Sequence, residues 1–275
     1  MINAISVDVE DYFQVSAFEK YIKREDWGNI PSRVEQNTIR ILELFNEYNV
    51  KGTFFILGWI AQRNHNLIRR IVDNGHEIAC HGFSHIRVNQ QKPKDFKEDV
   101  YRSKSIIEDI CGVELKGYRA ASYSIDSSNL WALEILDDLG FLYSSSIYPI
   151  KHDIYGMPEA PRFVYKPTNT NYLIEIPIST VEIFNKRIPC GGGGFFRLYP
   201  YKVTNWAINR VNKIDAQSCI FYFHPWEIDR DQPRQKGLDF KTQFRHYINI
   251  SYMENKLMKL MKDFKWTTIE DVFLK

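Results

Sequence analysis

The stretch from Gly52 to His85, GTFFILGWIAQRNHNLIRRIVDNGHEIACHGFSH, decides the fold. Thr53-Phe54-Phe55-Ile56-Leu57 is a short continuous apolar run, the pattern of a strand buried on both faces. Leu67, Ile68, Ile71 and Val72 then recur at helical spacing until Asn74-Gly75 stops them. Glu77-Ile78-Ala79-Cys80 returns to a strand pattern, with His81 just past its end. Strand, helix, strand is the rhythm of a parallel α/β fold.

The same rhythm extends in both directions. Ala4 to Val9 reads as a buried strand running into the acidic cluster Asp8-Val9-Glu10-Asp11. From Val34 to Tyr48 the apolar positions Ile39, Ile41, Leu42, Leu44 and Phe45 follow helical spacing, and Asn49-Val50-Lys51-Gly52 ends that helix. Residues 94–110 and 128–139 read as further helices, the second closed by Gly140. The second half is less regular. Tyr172 to Pro177 and Ser218 to Phe223 look like strands, and Val203 to Val211 looks helical. Between them lies Cys190-Gly191-Gly192-Gly193-Gly194-Phe195-Phe196-Arg197. Four glycines let a backbone turn tightly or approach a ligand closely, and a flexible connector is the competing reading. No Gly-Lys-Ser/Thr follows, so this is not a phosphate loop. No repeat or linker divides the chain, and one domain over residues 1–275 is expected.

Composition narrows the class. With 36 Lys+Arg against 34 Asp+Glu, the net charge of +2 gives no electrostatic reason to expect nucleic acid or an anionic membrane as partner. A hydrophobic share of 44% with 25% charged residues is that of a folded domain and excludes disorder. Cys80, Cys111, Cys190 and Cys219 form no CxxC pair and are expected as free thiols packed like small apolar residues. The chain reaches Asp8 without a basic region followed by a long apolar run, so no signal peptide is expected. No stretch approaches the ~18 consecutive apolar residues of a membrane span. A cytoplasmic protein is the expectation.

The chemistry concentrates at two strand ends. His81-Gly82-Phe83-Ser84-His85 places two imidazoles four residues apart, able to converge on a metal from one face of a turn or helix start. An open site needs a third, anionic ligand, and Asp8, Glu10 or Asp11 offers one from another strand end. Functional residues of parallel α/β folds collect at the carboxyl ends of the strands. The competing reading is a pair of surface or capping histidines.

Read together, four segments resemble the motifs of the polysaccharide deacetylase family, carbohydrate esterase family four with its nodulation-deacetylase homology domain. Ser6 to Asp11 resembles the first motif, Asn74 to His85 the second, Gly117-Tyr118-Arg119-Ala120-Ala121-Ser122-Tyr123 the third and Phe221 to Glu227 the fifth. The Asp-Val-Glu-Asp-Tyr, Gly-Gly-Phe-Phe-Arg and His-Pro-Trp-Glu-Ile-Asp segments look most like the branch found near bacterial exopolysaccharide gene clusters. The resemblance covers nearly the whole chain. It implies an α/β fold, an irregular (β/α) barrel of about seven parallel strands. It also implies a hydrolase that removes acetyl from an N-acetylated glycan.

Residue by residue, the resemblance implies a divalent metal held by His81, His85 and one carboxylate, zinc in the first place, with cobalt, nickel or manganese as other candidates. Asp8 would be the general base, and Arg119 would keep it ionised. A backbone N–H near Ser122 would help hold the oxyanion. His224 would protonate the departing amine. Tyr123 and Trp226 adjoin the motifs and are placed near the substrate; Arg197, after the glycine run, is a candidate sugar contact.

Three departures stand out. The family's first motif usually has two adjacent aspartates, where this chain has Asp8, Glu10 and Asp11. Side chains two apart on a strand share a face, which favours Glu10 as ligand; Asp11 stands if the strand ends at Val9. The third motif usually has proline at Ala121. The fourth usually carries an aspartate that orients the acid histidine, where Tyr143-Ser144-Ser145-Ser146 has serines. Glu227 and Asp229 are the substitutes, unranked. His76 reads as structural, and His65, His152 and His246 as surface residues. The alternative functions are a cyclic amide or imide hydrolase, as in the family's allantoinase-like relatives, and an inactive carbohydrate-binding relative.

Overall fold

The computed structural model describes residues 1–153 and 155–275. Ten strands occur among them: β1 (Ile2–Val9), β2 (Thr53–Ile56), β3 (Glu77–Cys80), β4 (Gly117–Tyr118), β5 (Tyr143–Ser144), β6 (Ile174–Glu175), β7 (Thr180–Ile183), β8 (Lys186–Pro189), β9 (Ile220–Phe223) and β10 (Lys265–Thr267). The helices are α1 (Val34–Glu47), α2 (Gly58–Ala61), α3 (His65–Asp73), α4 (Pro93–Cys111), α5 (Trp131–Asp138), α6 (Gly193–Leu198), α7 (Tyr201–Lys213), α8 (Phe240–Tyr247), α9 (Ile250–Asp263) and α10 (Ile269–Phe273).

One curled sheet runs in the order β10-β1-β2-β3-β4-β5-β6, with β9 also paired to β1, and every pairing in it is parallel. This is the expected irregular α/β barrel, a single domain with β1 at its centre. β1 is buried at every position after Ile2. It pairs Ser6–Val9 with Thr53–Ile56 and Ala4–Val7 with Ile220–Phe223, so the two halves of the chain meet on it.

Strand alternation splits the core in two. Val7, Val9, Phe54, Ile56, Ile78, Cys80, Phe221 and Phe223 join the cluster that includes residues of α1, α3 and α4. Their neighbours Ala4, Phe55, Ala79, Ile220 and Tyr222 form a second cluster with Tyr143 and Tyr148. Ala4, Ser6 and Asp8 therefore share the second, inner face.

The glycine run has a structural task, which corrects the connector reading. It runs beside β9, where Tyr222 N–H donates to the Gly191 carbonyl at 2.8 Å and Gly192 bridges Tyr222 in parallel. A Cβ on Gly191 would overlap the Ile220 carbonyl, and one on Gly192 would meet the Tyr222 ring at 2.8 Å.

Two expected elements are shorter than the sequence suggests. The strand read over Tyr172 to Pro177 is only β6, because the N–H groups of Asn171, Tyr172 and Leu173 donate to Asp137 instead. The helix read from residue 128 begins at Trp131, since Ser128 and Asn129 are engaged with Asp126 and Ser124. Among the described residues no helix is long and apolar enough to cross a membrane. All four cysteines are free, as expected.

Candidate active site

Glu10 stands one residue past β1, and His81 one residue past β3. His81 Nε2 lies 3.1 Å from Glu10 Oε1, and His85 Nε2 lies 3.0 Å from the same oxygen. His85 reaches that point through a loop rather than a helix start: Gly82 and His85 both have left-handed backbone, at φ 74° and 51°. The loop is held from outside. Phe83 N–H donates to Asp99 (2.8 Å), while Arg24 donates to the carbonyls of Ser84 (2.8 Å) and His85 (3.0 Å).

These three residues fit a divalent cation. Their donor atoms lie within 4.8 Å of one another, and all three side chains are buried. His81 Nδ1 faces the Arg119 carbonyl at 2.8 Å. A carbonyl only accepts, so Nδ1 carries a proton there and Nε2 is the atom turned toward Glu10. His85 is 2% exposed, yet neither ring nitrogen makes a hydrogen bond. Buried polar atoms are rarely left so, and ligation would satisfy one of them. Burial would raise the Glu10 pKa, but the imidazoles of His85, His224 and His81 outweigh it and hold Glu10 well below the usual carboxylate range.

Asp11 is excluded from this cluster by its own partners. It accepts from Ser32 Oγ (2.6 Å) and from the N–H groups of Arg33 (2.8 Å), Val34 (3.1 Å) and Tyr12 (2.9 Å). It takes up N–H groups at the start of α1 from 20-odd residues upstream, a position where a carboxylate is favoured by the free N–H groups and the helix dipole. Glu10→Ala is therefore expected to abolish binding of the divalent ion. Asp11→Ala should retain the metal and lower thermal stability, by about 1 kcal/mol on the scale of lost caps. Metal content by mass spectrometry, with melting curves for both variants, checks this. Metal release from Asp11→Ala alone would reverse the assignment.

Asp8 lies on the inner face beside the cluster. Its Oδ1 pairs with Arg119, whose guanidinium is wholly buried and also donates to Ser6 Oγ (2.9 Å), the Ser145 carbonyl (3.1 Å) and Ser145 Oγ (3.1 Å). Arg119 stacks over Phe55 at 3.9 Å. The serines at the fourth motif thus support Arg119, and Ser146 Oγ accepts from the Ala120 N–H at 2.9 Å. Asp8 Oδ2 faces the Tyr123 hydroxyl (3.4 Å) and His224 Nε2 (4.0 Å).

His224 follows β9. Its Nδ1 meets Glu227 Oε1 at 2.7 Å, and its backbone N–H donates to the same oxygen at 3.1 Å. Glu227 Oε2 in turn accepts from Arg197 Nε at 2.7 Å, and both members of this pair are buried. Burial would raise the Glu227 pKa, but Arg197 and then His224 outweigh it and hold it below the ordinary value. Burial would lower that of His224, but Glu10, Glu227 and Asp8 raise it to about 9. Asp229 is engaged elsewhere, with Arg33 (2.9 Å) and Asn37 (3.0 Å). Of the two substitutes for the missing aspartate, Glu227 is the one that touches His224.

Arg197 departs from the expectation of a sugar contact. Its guanidinium is taken up by Glu227 and by the carbonyls of His246 (2.7 Å), Ile248 (2.8 Å) and Arg245 (3.3 Å). The glycine run makes room for this arrangement, since a Cβ on Gly193 would overlap the Glu227 carboxylate. His246 corrects the surface reading too. It is 4% exposed, stacks on Trp226 at 4.3 Å and bonds Gln232 at 2.7 Å. His152 is partly buried rather than fully exposed, stacked on Tyr155 at 4.1 Å. His76 is structural as expected, accepting from Gly52 N–H at 3.3 Å. Trp226 stacks under His224 at 5.3 Å, and Ser122, in left-handed backbone, shares a 2.6 Å hydrogen bond with Ser16. These groups line one cleft of about 170 Å³, with Asp8, Glu10, His85, Ser122, Tyr123 and His224 on its walls.

Glu175 escapes a motif reading. It is wholly buried, accepts from Ser146 and Ile147 N–H (2.8 Å each), and so holds the loop that carries Arg119's partners. Burial pushes its carboxyl up to about 7. A lone acid inside the apolar run Leu173-Ile174-Glu175-Ile176 was the available signal.

A family model described as Polysaccharide deacetylase matches residues 26–143, and one described as Domain of unknown function (DUF3473) matches residues 145–274. The site uses both, together with Asp8 and Glu10, which precede either match. A peptidoglycan-N-acetylglucosamine deacetylase of Bacillus cereus is 31% identical over 98 residues, 35% of this chain and 36% of that protein. A chitooligosaccharide deacetylase of a Bradyrhizobium species is 28% identical over 96 residues, 35% of this chain and 42% of that protein. The matched segments thus span well under half of these curated relatives. A crystal structure of a Mycobacterium smegmatis protein assigned to the polysaccharide deacetylases superposes with a TM-score of 0.63 at 19% identity, covering 98% of this chain and 88% of that one. Its fold is the one seen here. From the ordered motifs, the deacetylase match and this shared architecture, the chain carries a polysaccharide deacetylase domain of carbohydrate esterase family four.

Proposed function

We propose that this chain is a metal-dependent hydrolase that removes acetyl from an N-acetylated amino sugar in a poly- or oligosaccharide. One observation carries the reading. A carboxylate fixed by a buried arginine, a Glu10–His81–His85 donor set and an imidazole held by a second carboxylate meet in one cleft, with His224 Nε2 at 4.0 Å from Asp8 and 3.7 Å from Glu10. A pure binding protein has no use for that combination.

Glu10, His81 and His85 would hold a divalent ion, zinc in the first place, which would supply Lewis acidity toward an acetyl carbonyl and a water of lowered pKa. Asp8 takes the proton of the attacking water at Oδ2, the oxygen not engaged by Arg119. Arg119 pairs with Asp8 Oδ1 and so fixes the orientation of the carboxylate. As the amide C–N bond breaks, His224 gives the proton on Nε2 to the departing amine, which leaves poorly as an anion. Glu227 holds the proton on Nδ1 throughout, so the ring keeps one orientation. Acetate and a free amino sugar result. Tyr123 and Ser122 stand on the cleft wall where the acetyl group would enter, and an N–H near Ser122 assists with the developing oxyanion. Trp226 backs the imidazole. The cyclic amide alternative calls for a closed small pocket, whereas this cleft adjoins a second cavity that shares Tyr155, Gly194 and Tyr222 with it.

Acetate release from N,N′,N″-triacetylchitotriose by zinc-loaded protein tests the reading, and no release with any of the four candidate metals would sink it. The role of His224 has its own test. His224→Ala should lower turnover on the N-acetyl sugar by ~10² or more. Hydrolysis of an activated acetyl ester, whose leaving group needs little protonation, should fall far less. Metal content should stay unchanged. Equal losses on both substrates would make His224 a structural or binding residue.

A further inference from the structure

Residues 13–30 fall between the first and second motifs, and the deacetylase match begins only at residue 26. Two short 3₁₀ turns, Ser16–Phe18 and Arg24–Asn29, shape the segment. Phe13, Val15, Phe18, Ile22 and Trp27 join Trp226 in an apolar cluster of their own, which seats the segment on the ring that backs His224. Two polar side chains reach from it into two turns of the site. Arg24 forks onto the metal loop: Nε donates to the Ser84 carbonyl at 2.8 Å and Nη2 to the His85 carbonyl at 3.0 Å. Glu19 holds that guanidinium at 3.1 Å and is itself held by Arg87 at 2.6 Å. Ser16 Oγ shares its 2.6 Å hydrogen bond with Ser122 Oγ. Both contacts fall on non-glycine residues with left-handed backbone, φ being 51° at His85 and 52° at Ser122, with Tyr123 next at 50°. Residues other than glycine keep that backbone only where the surroundings enforce it. Among the described residues the Ser122 N–H makes no backbone hydrogen bond, so its direction is set by this turn alone.

We propose that Arg24 and Ser16 are positioning residues for the reaction: Arg24 fixes the metal ligand His85, and Ser16 fixes the turn that aims the Ser122 N–H at the oxyanion. Each acts through the residue it holds. The planar fork of Arg24 spans two successive carbonyls and a carboxylate, which a lysine ammonium does not do. The role of Ser16 rests on the deacetylase reading, whereas that of Arg24 rests only on the donor set of Glu10, His81 and His85.

Zinc affinity of the full chain, read by competition with a chromophoric chelator, tests the Arg24 contact without turnover. Arg24→Met should weaken zinc binding about ten-fold, the lower end of what loss of an outer-shell partner costs a metal site. Arg24→Lys, which keeps the charge and one donor, should fall between. Ser16→Ala should leave zinc affinity unchanged and lower kcat on N,N′,N″-triacetylchitotriose about ten-fold, short of the ~10²–10³ that removal of an oxyanion donor costs. KM should stay the same, and Ser16→Thr, which keeps the hydroxyl, should recover most of the loss. Ser122→Ala should lose as much kcat as Ser16→Ala, and the double variant no more than either, because the two hydroxyls form one contact. Melting temperatures should change little, since the apolar cluster that seats the segment is intact in every variant. Unchanged zinc affinity in Arg24→Met would overturn the role of Arg24. A raised KM with kcat unchanged in Ser16→Ala, or additive losses in the double variant, would overturn that of Ser16 and make it a direct sugar contact. A joint fall of zinc affinity, kcat and melting temperature in both Arg24→Met and Ser16→Ala would overturn both roles and leave the segment as general support for the fold. Absence of acetate release from every substrate, with zinc weakened in Arg24→Met, would instead sink the deacetylase reading and the role of Ser16 with it, while Arg24 keeps its own.

Discussion

Asp8→Asn is expected to lower turnover by ~10² to 10⁴-fold while leaving the metal in place. The amide keeps the shape of the carboxylate but cannot take a proton from water at neutral pH. The metal donors Glu10, His81 and His85 are untouched by the change. Arg119 loses its counter-charge, yet Ser6, Ser145 Oγ and the Ser145 carbonyl continue to accept from it. The variant should therefore fold with a lowered melting temperature, because an unpaired buried cation is costly. Turnover, metal content and melting curves measured together separate these effects. Near-normal acetate release would show that Asp8 is not the base.

Arg197→Met should produce the largest loss of stability. It leaves Glu227 buried with only the imidazole as counter-charge, and three backbone carbonyls lose their donor. Breaking one side of a buried pair typically costs about 3–5 kcal/mol. In a chain of this length that corresponds to a fall in Tm on the order of 10 °C. Turnover should fall as well, since Glu227 no longer has a fixed position from which to hold His224. The double variant Arg197→Met with Glu227→Gln removes both charges and should recover much of the lost stability. Its turnover should remain low, because a neutral amide does not support a protonated imidazole. Recovery of both properties would reduce the pair to a structural role. Unchanged stability in the single variant would mean that the pair contributes nothing measurable.

The extent to which the sequence foretold the molecule follows the range of the interactions involved. Strands β1, β2 and β3 are legible because a short, largely apolar run buried on both faces is a local property of consecutive side chains. The same locality makes the carboxyl ends of those strands legible, and with them Asp8, Glu10, His81 and His85. The two-residue strands β4 and β5 are too short to carry a pattern, and β6 is cut down by a side chain 34 to 36 residues away.

What stayed open in the sequence was decided by contacts across the fold. Glu10 and Asp11 are chemically similar neighbours; their spacing from Asp8 favours Glu10 as the ligand, but only the fold shows that the helix start at Ser32 to Val34 claims Asp11. Glu227 and Asp229 differ in the same way, one meeting Arg197 thirty residues upstream and the other Arg33 almost two hundred residues upstream. Gly193 is explained only by the carboxylate that packs against it, and Arg197 only by the backbone carbonyls that surround it. By itself the sequence determined which groups stand at the mouth of the barrel, because side-chain direction along a strand is set locally. The tertiary structure decided what each group does, because a charge removed from water takes whichever partner the fold brings within reach, and that partner is not a neighbour in sequence.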